Sequence, residues 1–396
     1  MQTLFVKYFF VFTLMLLSLQ SWSMEENPNE TASPDQSVDQ PDDRFITQKP
    51  LFIAGEGDYN TYRIPAMITT RQGTILAFCE GRKAGRGDSG NIDLLLKRSR
   101  DNGQTWEPLQ ILLDDHENTC GNPAPVQDRE TGTIWLLFTK NDGKITEQQI
   151  LQGNGTRDIW VMSSSDDGET WSDPVEITQD VKRENWRWYA TGPVHGIQLQ
   201  DGTLVIPCNH SESPDHSTWN SHIIYSRDHG KSWQIGGVVP GGYTNESTVA
   251  QLRDGSLYYN LRNYYGKNRR VVSRSTDQGL TWSHPEPDSV LVSPVCQGAV
   301  LYYPAPGDQQ PDWLLFSNPA STSRENLTIR LSPDGGRSWT ASAVLHPGPS
   351  AYSDMTILPD GTIACLYERG EVSPYETITF ARMSLSWLIG QSAGEP

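Results

Sequence analysis

Cysteine is scarce in this 396-residue chain, and the five that occur (Cys79, Cys120, Cys208, Cys296, Cys365) are far apart. No Cys-x-x-Cys pair exists, which excludes the tightly spaced zinc sites and the disulfide scaffolds of small secreted domains. Core positions are expected for most of them, with a single disulfide left open. Positive charge is also short: 31 Lys and Arg face 48 Asp and Glu, a formal net charge of −17. That balance excludes the broad basic footprint of a nucleic-acid binder. An anionic ligand would meet a repulsive overall field, so any anion site must be a local cluster of Arg.

Long apolar runs are missing apart from one, Tyr8 to about Leu19, preceded by Lys7 and followed by Ser21-Trp22-Ser23. Charge, short apolar stretch and small residues at −3 and −1 predict a signal peptide over 1–23. The run is short for a membrane span, although an uncleaved anchor is the alternative reading. No Cys follows it, which argues against a lipoprotein anchor. Residues 24–44 are rich in Glu, Asp, Pro, Ser and Gln and predict a disordered acidic linker. A single folded domain is expected over 45–390. The chain is thus expected to be secreted or periplasmic, without stable membrane insertion after cleavage.

Amphipathic helical stripes are absent, while Gly (34) and Trp (13) are plentiful, a balance that favours strands and tight turns. One pattern dominates: Ser-x-Asp-x-Gly-x-(Ser/Thr)-Trp. It runs from Ser99 to Trp106 and returns at Ser164–Trp171, Ser226–Trp233, Ser275–Trp282 and Ser332–Trp339. Its Asp residues, 101, 166, 228, 277 and 334, are separated by 65, 62, 49 and 57 residues. Asp and Ser side chains bind backbone groups in a tight turn, Gly supplies positive φ, and Trp folds back as an apolar plug. These Asp are scaffold rather than catalysts. With turn signals between the copies at Asp201-Gly202, Asp254-Gly255 and Asp360-Gly361, the pattern predicts an all-β propeller of four-stranded units.

The repeats resemble the Asp boxes of the sialidase (neuraminidase) family, bacterial-type, and Tyr62-Arg63-Ile64-Pro65 is similar to that family's Phe/Tyr-Arg-Ile-Pro motif. The resemblance covers roughly Leu51 to Leu388 and implies a six-bladed propeller. It also implies three Arg that grip a substrate carboxylate: Arg63, Arg262 in Tyr259-Asn260-Leu261-Arg262-Asn263, and Arg324 before Glu325-Asn326-Leu327. The acid/base Asp fits Asp88 in Arg86-Gly87-Asp88-Ser89-Gly90. The nucleophile fits Tyr352 in Ser350-Ala351-Tyr352-Ser353-Asp354, and its paired Glu fits Glu246. Glu368 fits the residue supporting the first Arg, and Arg82 a further substrate-facing Arg.

The residue types suit the chemistry. Guanidinium forks bind carboxylates bidentately and stay charged at any working pH. Sialic acid bears its carboxylate on the anomeric carbon, so a carboxylate nucleophile would be repelled. Neutral Tyr is not, and sialidases with a Tyr nucleophile are a known exception to the two-carboxylate rule. A Tyr with an ordinary pKa of about 10 needs a base beside it. Rivals within the sequence are Asp93 for Asp88, Arg330 for Arg324 and Glu371 for Glu368. Trp186, Trp188 and Tyr189 stand equally for pocket lining or packing. Asn122 occupies a place where the family can carry an acyl-pocket Asp, which puts that role in doubt. His195, His210 and His222 lack metal spacing and are expected to serve structure. Asn-x-Ser/Thr triplets such as Asn154-Gly155-Thr156, Asn326-Leu327-Thr328 and the one holding Glu246 are read as chance.

The expectation is a retaining exo-α-sialidase, a monomer acting on sialylated glycans with no cofactor, no catalytic metal and no nucleic acid. Its alternatives are a trans-sialidase, a hydrolase of deaminated sialic acid, and a non-catalytic sialic-acid-binding propeller.

Overall fold

The computed structural model describes residues 44–305 and 312–392; the expected signal peptide and nearly all of the acidic linker lie outside them. The described chain is mostly β-sheet, with short helices at Glu147–Leu151, Thr178–Val181 and Leu385–Ser392. Among the described residues no helix is long and apolar enough to cross a membrane.

Antiparallel neighbours in sequence pair in space. Strands Thr61–Thr69, Ile75–Arg82 and Ile92–Ser99 form one run, with Gln110–Leu113 at its edge. A single parallel bridge, Ile92 to Thr119, joins it to Thr119–Gln127, Ile134–Asn141, Asp158–Ser164 and Val175–Glu176. A second sheet holds Trp188–Thr191, Leu204–Ser211, Trp219–Ser226 and Gln234–Val238, and a third Thr244–Gln251, Leu257–Asn263, Arg269–Ser275 and Glu286–Val292. In the fourth, the 17-residue strand Ala341–Ile357 pairs with Glu325–Ser332 through its first part and Ile363–Arg369 through its second. Strand Ile46–Ile53 completes that sheet beside Thr377–Met383, so the two ends of the fold are bound to each other.

The repeated motif behaves as its residue types dictate. Asp101 accepts from the Thr105 amide (2.9 Å) and hydroxyl (2.6 Å), and the Gly103 amide donates to Ser99 Oγ (2.9 Å). The same loop recurs around Asp166, Asp228, Asp277 and Asp334. Gly103, Gly168, Gly230, Gly279 and Gly336 all have φ between 79° and 89°, where a Cβ would be strained. Each motif Trp then reaches outside its own turn: Trp106 meets Phe380 edge-on at 5.0 Å, tying the first motif turn to the last strand, and Trp171 meets Phe78 at 5.9 Å.

Strands such as Ile75–Arg82 are buried along their whole length, which explains their near-continuous apolar reading. All five cysteines are buried and free, which closes the question of a disulfide. His210 and His222 lie 3.0 Å apart beside Trp186 and Tyr189, and burial pushes both imidazoles down, His210 to about 3. His195 Nδ1 donates to Oδ1 of buried Asp354 at 2.6 Å.

Candidate active site

The strand Thr61–Thr69 breaks register between Arg63 and Ala66, and Ile64 has φ 61°. A β-branched residue in that region is strained and needs compensation. Glu368, fully buried on strand Ile363–Arg369, supplies it. One carboxylate oxygen accepts from Arg63 Nε (2.7 Å) and from the Ile64 amide (2.9 Å); the other accepts from the Tyr352 amide (3.2 Å). One buried carboxylate therefore fixes a guanidinium, a strained backbone and the segment carrying Tyr352. The strand of Tyr352 breaks register in the same way, between Ser350 and Ser353, as bulges do where a side chain must be re-aimed.

Tyr352 is where the predicted residues converge. Its hydroxyl donates to Glu246 Oε1 at 2.5 Å, while Arg262 Nη1 donates to Glu246 Oε2 (2.6 Å) and to the Tyr352 hydroxyl (3.1 Å). The guanidinium groups of Arg63 and Arg324 lie 5.1 and 5.4 Å from the Tyr352 ring centre. Arg324 also donates to the Tyr375 hydroxyl at 2.7 Å, and Tyr375 receives Arg63 over its ring at 4.3 Å. Burial, then the charge of Glu246, push the Tyr352 phenol well above its ordinary value, against the pull of Arg262 and Arg324. Tyr352 is thus a neutral hydrogen-bond donor aimed at a base.

Asp88 has its side chain 66% exposed, 2.7 Å from Arg82 and 3.9 Å from Arg63. Desolvation raises its carboxyl, and Arg82 followed by Arg63 outweigh it, leaving the group below the usual carboxylate range. Arg82 itself is clamped by Glu80 Oε2 (2.6 and 2.9 Å) and by the carbonyls of Arg86 and Gly87. The loop bearing Asp88 is therefore held by the same guanidinium that pairs with it.

These groups line a cavity of about 150 Å³. Arg63, Arg82, Asp88, Glu246, Arg262, Arg324 and Tyr352 all face it, and Glu368 stands behind Arg63. The three rivals do not line it: Asp93 is buried against Tyr59 and Lys83, Arg330 sits on the strand Glu325–Ser332, and Glu371 is exposed beside Arg369. Of the aromatic trio, Trp188 lines the cavity, whereas Trp186 and Tyr189 pack with His210 and His222. Asn245 is buried, which agrees with reading its triplet as chance.

Sequence reasoning missed Glu80, Arg157 and Glu147. Glu80 also accepts from the Asn122 amide at 2.8 Å, where Asn122 has φ 56°. Arg157 donates to Asn122 Oδ1 at 2.6 Å and lies over the Trp188 ring at 4.4 Å. Asn122 thus orders a buried Arg. Glu147 opens the helix Glu147–Leu151; burial and the nearby Asp88 push its carboxyl up to about 7, against Arg157 and Arg262. The alternation Glu80-Gly81-Arg82 put two charges on one strand face and could have flagged Glu80. Arg157 and Glu147 carry no local signal.

Among the described residues no group of three or more His, Cys, Asp or Glu is arranged to hold a metal ion. What fold and pocket define is a β-sheet protein with an arginine-rich site for an anionic ligand. Residues 73–365 match the BNR repeat-like domain. The chain is 32% identical to the exo-alpha-sialidase of Aspergillus fumigatus, over 96% of this chain and 98% of that one. It is equally identical to a sialidase of Bacteroides fragilis, over 85% of this chain but 64% of the longer relative. Hadza microbial sialidase Hz136 superposes with a TM-score of 0.78 at 32% identity, covering 86% of this chain and 69% of that one. The chain belongs to the sialidase family of glycoside hydrolases.

Proposed function

We propose that the protein is a retaining exo-α-sialidase that hydrolyses terminal α-linked sialic acids from glycans. The observation that carries this is the convergence of Arg63, Arg262, Arg324 and Glu246 on the single hydroxyl-bearing ring of Tyr352. The three guanidinium groups hold the substrate carboxylate, giving the acidic chain its local positive site. Tyr352 Oη attacks the anomeric carbon while Glu246 takes its proton. The bond to the departing sugar breaks as Asp88 protonates the glycosidic oxygen. Asp88 then removes a proton from water, which attacks the same carbon. Tyr352 leaves and recovers its proton from Glu246, with Arg262 3.1 Å away to stabilise the phenolate as it forms. Arg82 positions Asp88 and Glu368 positions Arg63.

Ionised Asp88 poses a requirement: an acid needs a proton. Its low pKa comes from Arg82 and Arg63. A substrate carboxylate seated on the Arg cluster would screen that charge, so binding itself raises the Asp88 pKa and supplies the acid.

The architecture is read as a six-bladed propeller. The parallel bridge at Ile92 and the shared strand Ala341–Ile357 each link two four-stranded units, and both support counting six. Export follows from the apolar segment at the N-terminus, and the substrate is a sialylated glycan met outside the cytoplasm.

A second reading, hydrolysis of deaminated sialic acid, is favoured by one feature. The cavity lining includes Asn122, Arg157, Glu147, Asn209 and Asn245 beside Trp188 and Ala190, so partners for a hydroxyl outnumber apolar partners for an acetyl methyl. Release of 4-methylumbelliferone from the α-conjugates of both sugars tests the reaction and ranks the two. NMR of the first-formed sugar anomer tests retention: the α-anomer is expected, and the β-anomer would refute it.

A further inference from the structure

A cavity of about 720 Å³ lies at the other ends of the strands that build the active site. Four strands line both. Arg63, Asn122, Glu246 and Tyr352 face the first cavity; Met67, Val126, Val249 and Met355, three or four residues further along the same strands, face the second. The floor is fixed. Met67, Val126, Val249, Val300 and Met355 are buried there, and each belongs to a different packed apolar cluster. Asp354 accepts from the amides of Met67 (2.8 Å), His195 (3.0 Å) and Met355 (2.8 Å) and from the His195 ring, so one buried carboxylate pins three floor residues. Ile68, Ile197, Leu301 and Ile357 continue the apolar wall outward. At the mouth the character changes, and Arg71, Arg129 and Gln200 are exposed. Among the described residues no Asp or Glu lines this cavity, in a chain of net charge −17. Arg71 donates to the carbonyls of Arg129 and Glu130, and Arg129 to the side chain and carbonyl of Gln198; neither guanidinium pairs with a carboxylate among the described residues.

We propose that this cavity binds a free amphipathic monoanion of the medium-chain carboxylate type, with its aliphatic tail inward and its head on Arg71 and Arg129. The charge pattern selects the head. Two guanidinium groups at the edge of an acid-free wall are a local exception in a strongly acidic chain, and they hold an anion where it stays partly hydrated. The wall selects the tail, which leaves water for the side chains of Ile68, Ile197, Leu301 and Ile357. The volume is that of a small-molecule site, and the pinned floor keeps it open before a ligand arrives. Four residues separate Met67 from Arg71, at most about 14 Å of chain, a depth that an eight-carbon tail can span. The reverse pose is the poorer one: a carboxylate on the floor would lose its water for a His195 ring already paired with Asp354. The two cavities share no lining residue, so the inference stands apart from the sialidase reading.

The test uses octanoate and protein carrying carbon-13 at its methionine methyl groups. Titration followed by NMR is expected to shift the Met67 and Met355 methyl resonances and to leave Met162, packed in another cluster, unmoved. Octanol lacks the head and acetate lacks the tail, and each is expected to bind at least about tenfold more weakly than octanoate. Arg71 and Arg129 are exposed, so Arg71→Ala combined with Arg129→Ala should keep the unfolding midpoint of the parent. That variant is expected to lose about tenfold in octanoate affinity while its octanol affinity stays unchanged. Ile197→Trp, which fills the cavity from a half-exposed wall, is expected to abolish the octanoate-dependent shifts. Octanoate that leaves Met67 and Met355 unmoved would overturn the proposal. Octanol or acetate binding as tightly as octanoate would overturn it too, as would parent-like octanoate affinity in either variant.

Discussion

The Tyr352 hydroxyl donates to Glu246 across 2.5 Å, and Arg262 donates to both of them. That triangle is the smallest unit from which the chemistry can be argued. Glu246 is placed to take the proton, and Arg262 to stabilise the oxygen left behind. Replacing Tyr352 by Phe removes one oxygen atom and no packing. Activity on the 4-methylumbelliferyl sialoside is expected to fall by at least about a thousandfold, with the thermal unfolding midpoint little changed. A Tyr352→Phe protein retaining a tenth of the parent rate would break the assignment.

Glu368 carries both structure and positioning. It is fully buried and binds Arg63, the strained Ile64 amide and the Tyr352 amide. Breaking a buried pair by removing one partner costs about 3–5 kcal/mol, and Glu368→Ala is expected to lose stability of that order in denaturant titration. Glu368→Gln keeps an acceptor for one donor, so its stability should lie between the two while KM rises through the loosened Arg63. Equal stability of the Ala variant and the parent would show that the Arg63 site does not depend on Glu368.

Asp88 links proton uptake to binding. In the free protein Arg82 and Arg63 hold it ionised below the usual carboxylate range. An anionic ligand on the Arg cluster raises its pKa, so binding takes up protons, increasingly as pH falls toward that raised value. Calorimetry of an unsaturated sialic acid analogue in buffers of different ionisation enthalpy reads the number directly. Uptake is expected in the parent at about pH 4–5, where Glu147 is already protonated, and should vanish there in Asp88→Asn. Proton release in the parent would reverse the argument.

Glu147 predicts a second pH effect. With its carboxyl pushed up to about 7, it is neutral below that pH and anionic above it. Above pH 7 its charge opposes an anionic substrate, so KM is expected to rise between pH 6 and 8. Glu147→Gln should flatten that rise. A KM profile of the same slope in the variant would show that another group controls it.

The parts of this molecule legible in its sequence are the local ones. Each Asp101-type turn closes within a few residues, so spacing alone disclosed the β-rich repeat. The Arg63 to Tyr352 set was legible only through likeness to a family, because nothing near Arg324 in the chain announces that it will face Tyr352. Arg157 and Glu147 stayed hidden for the same reason. Arg157 matters because Asn122, 35 residues earlier, turns its amide oxygen toward it. Trp186 and Trp188 show the limit from the other side: two residues apart, they divide between core and cavity.

The central claim is that Tyr352 bonds covalently to the sugar. Incubation with a 2,3-difluorosialic acid, followed by peptide mass spectrometry, tests it most directly. The account predicts a single sialyl adduct on the peptide carrying Tyr352, formed as activity is lost and absent from Tyr352→Phe. Inactivation with the label on Glu246, on Asp88 or on no peptide would contradict it.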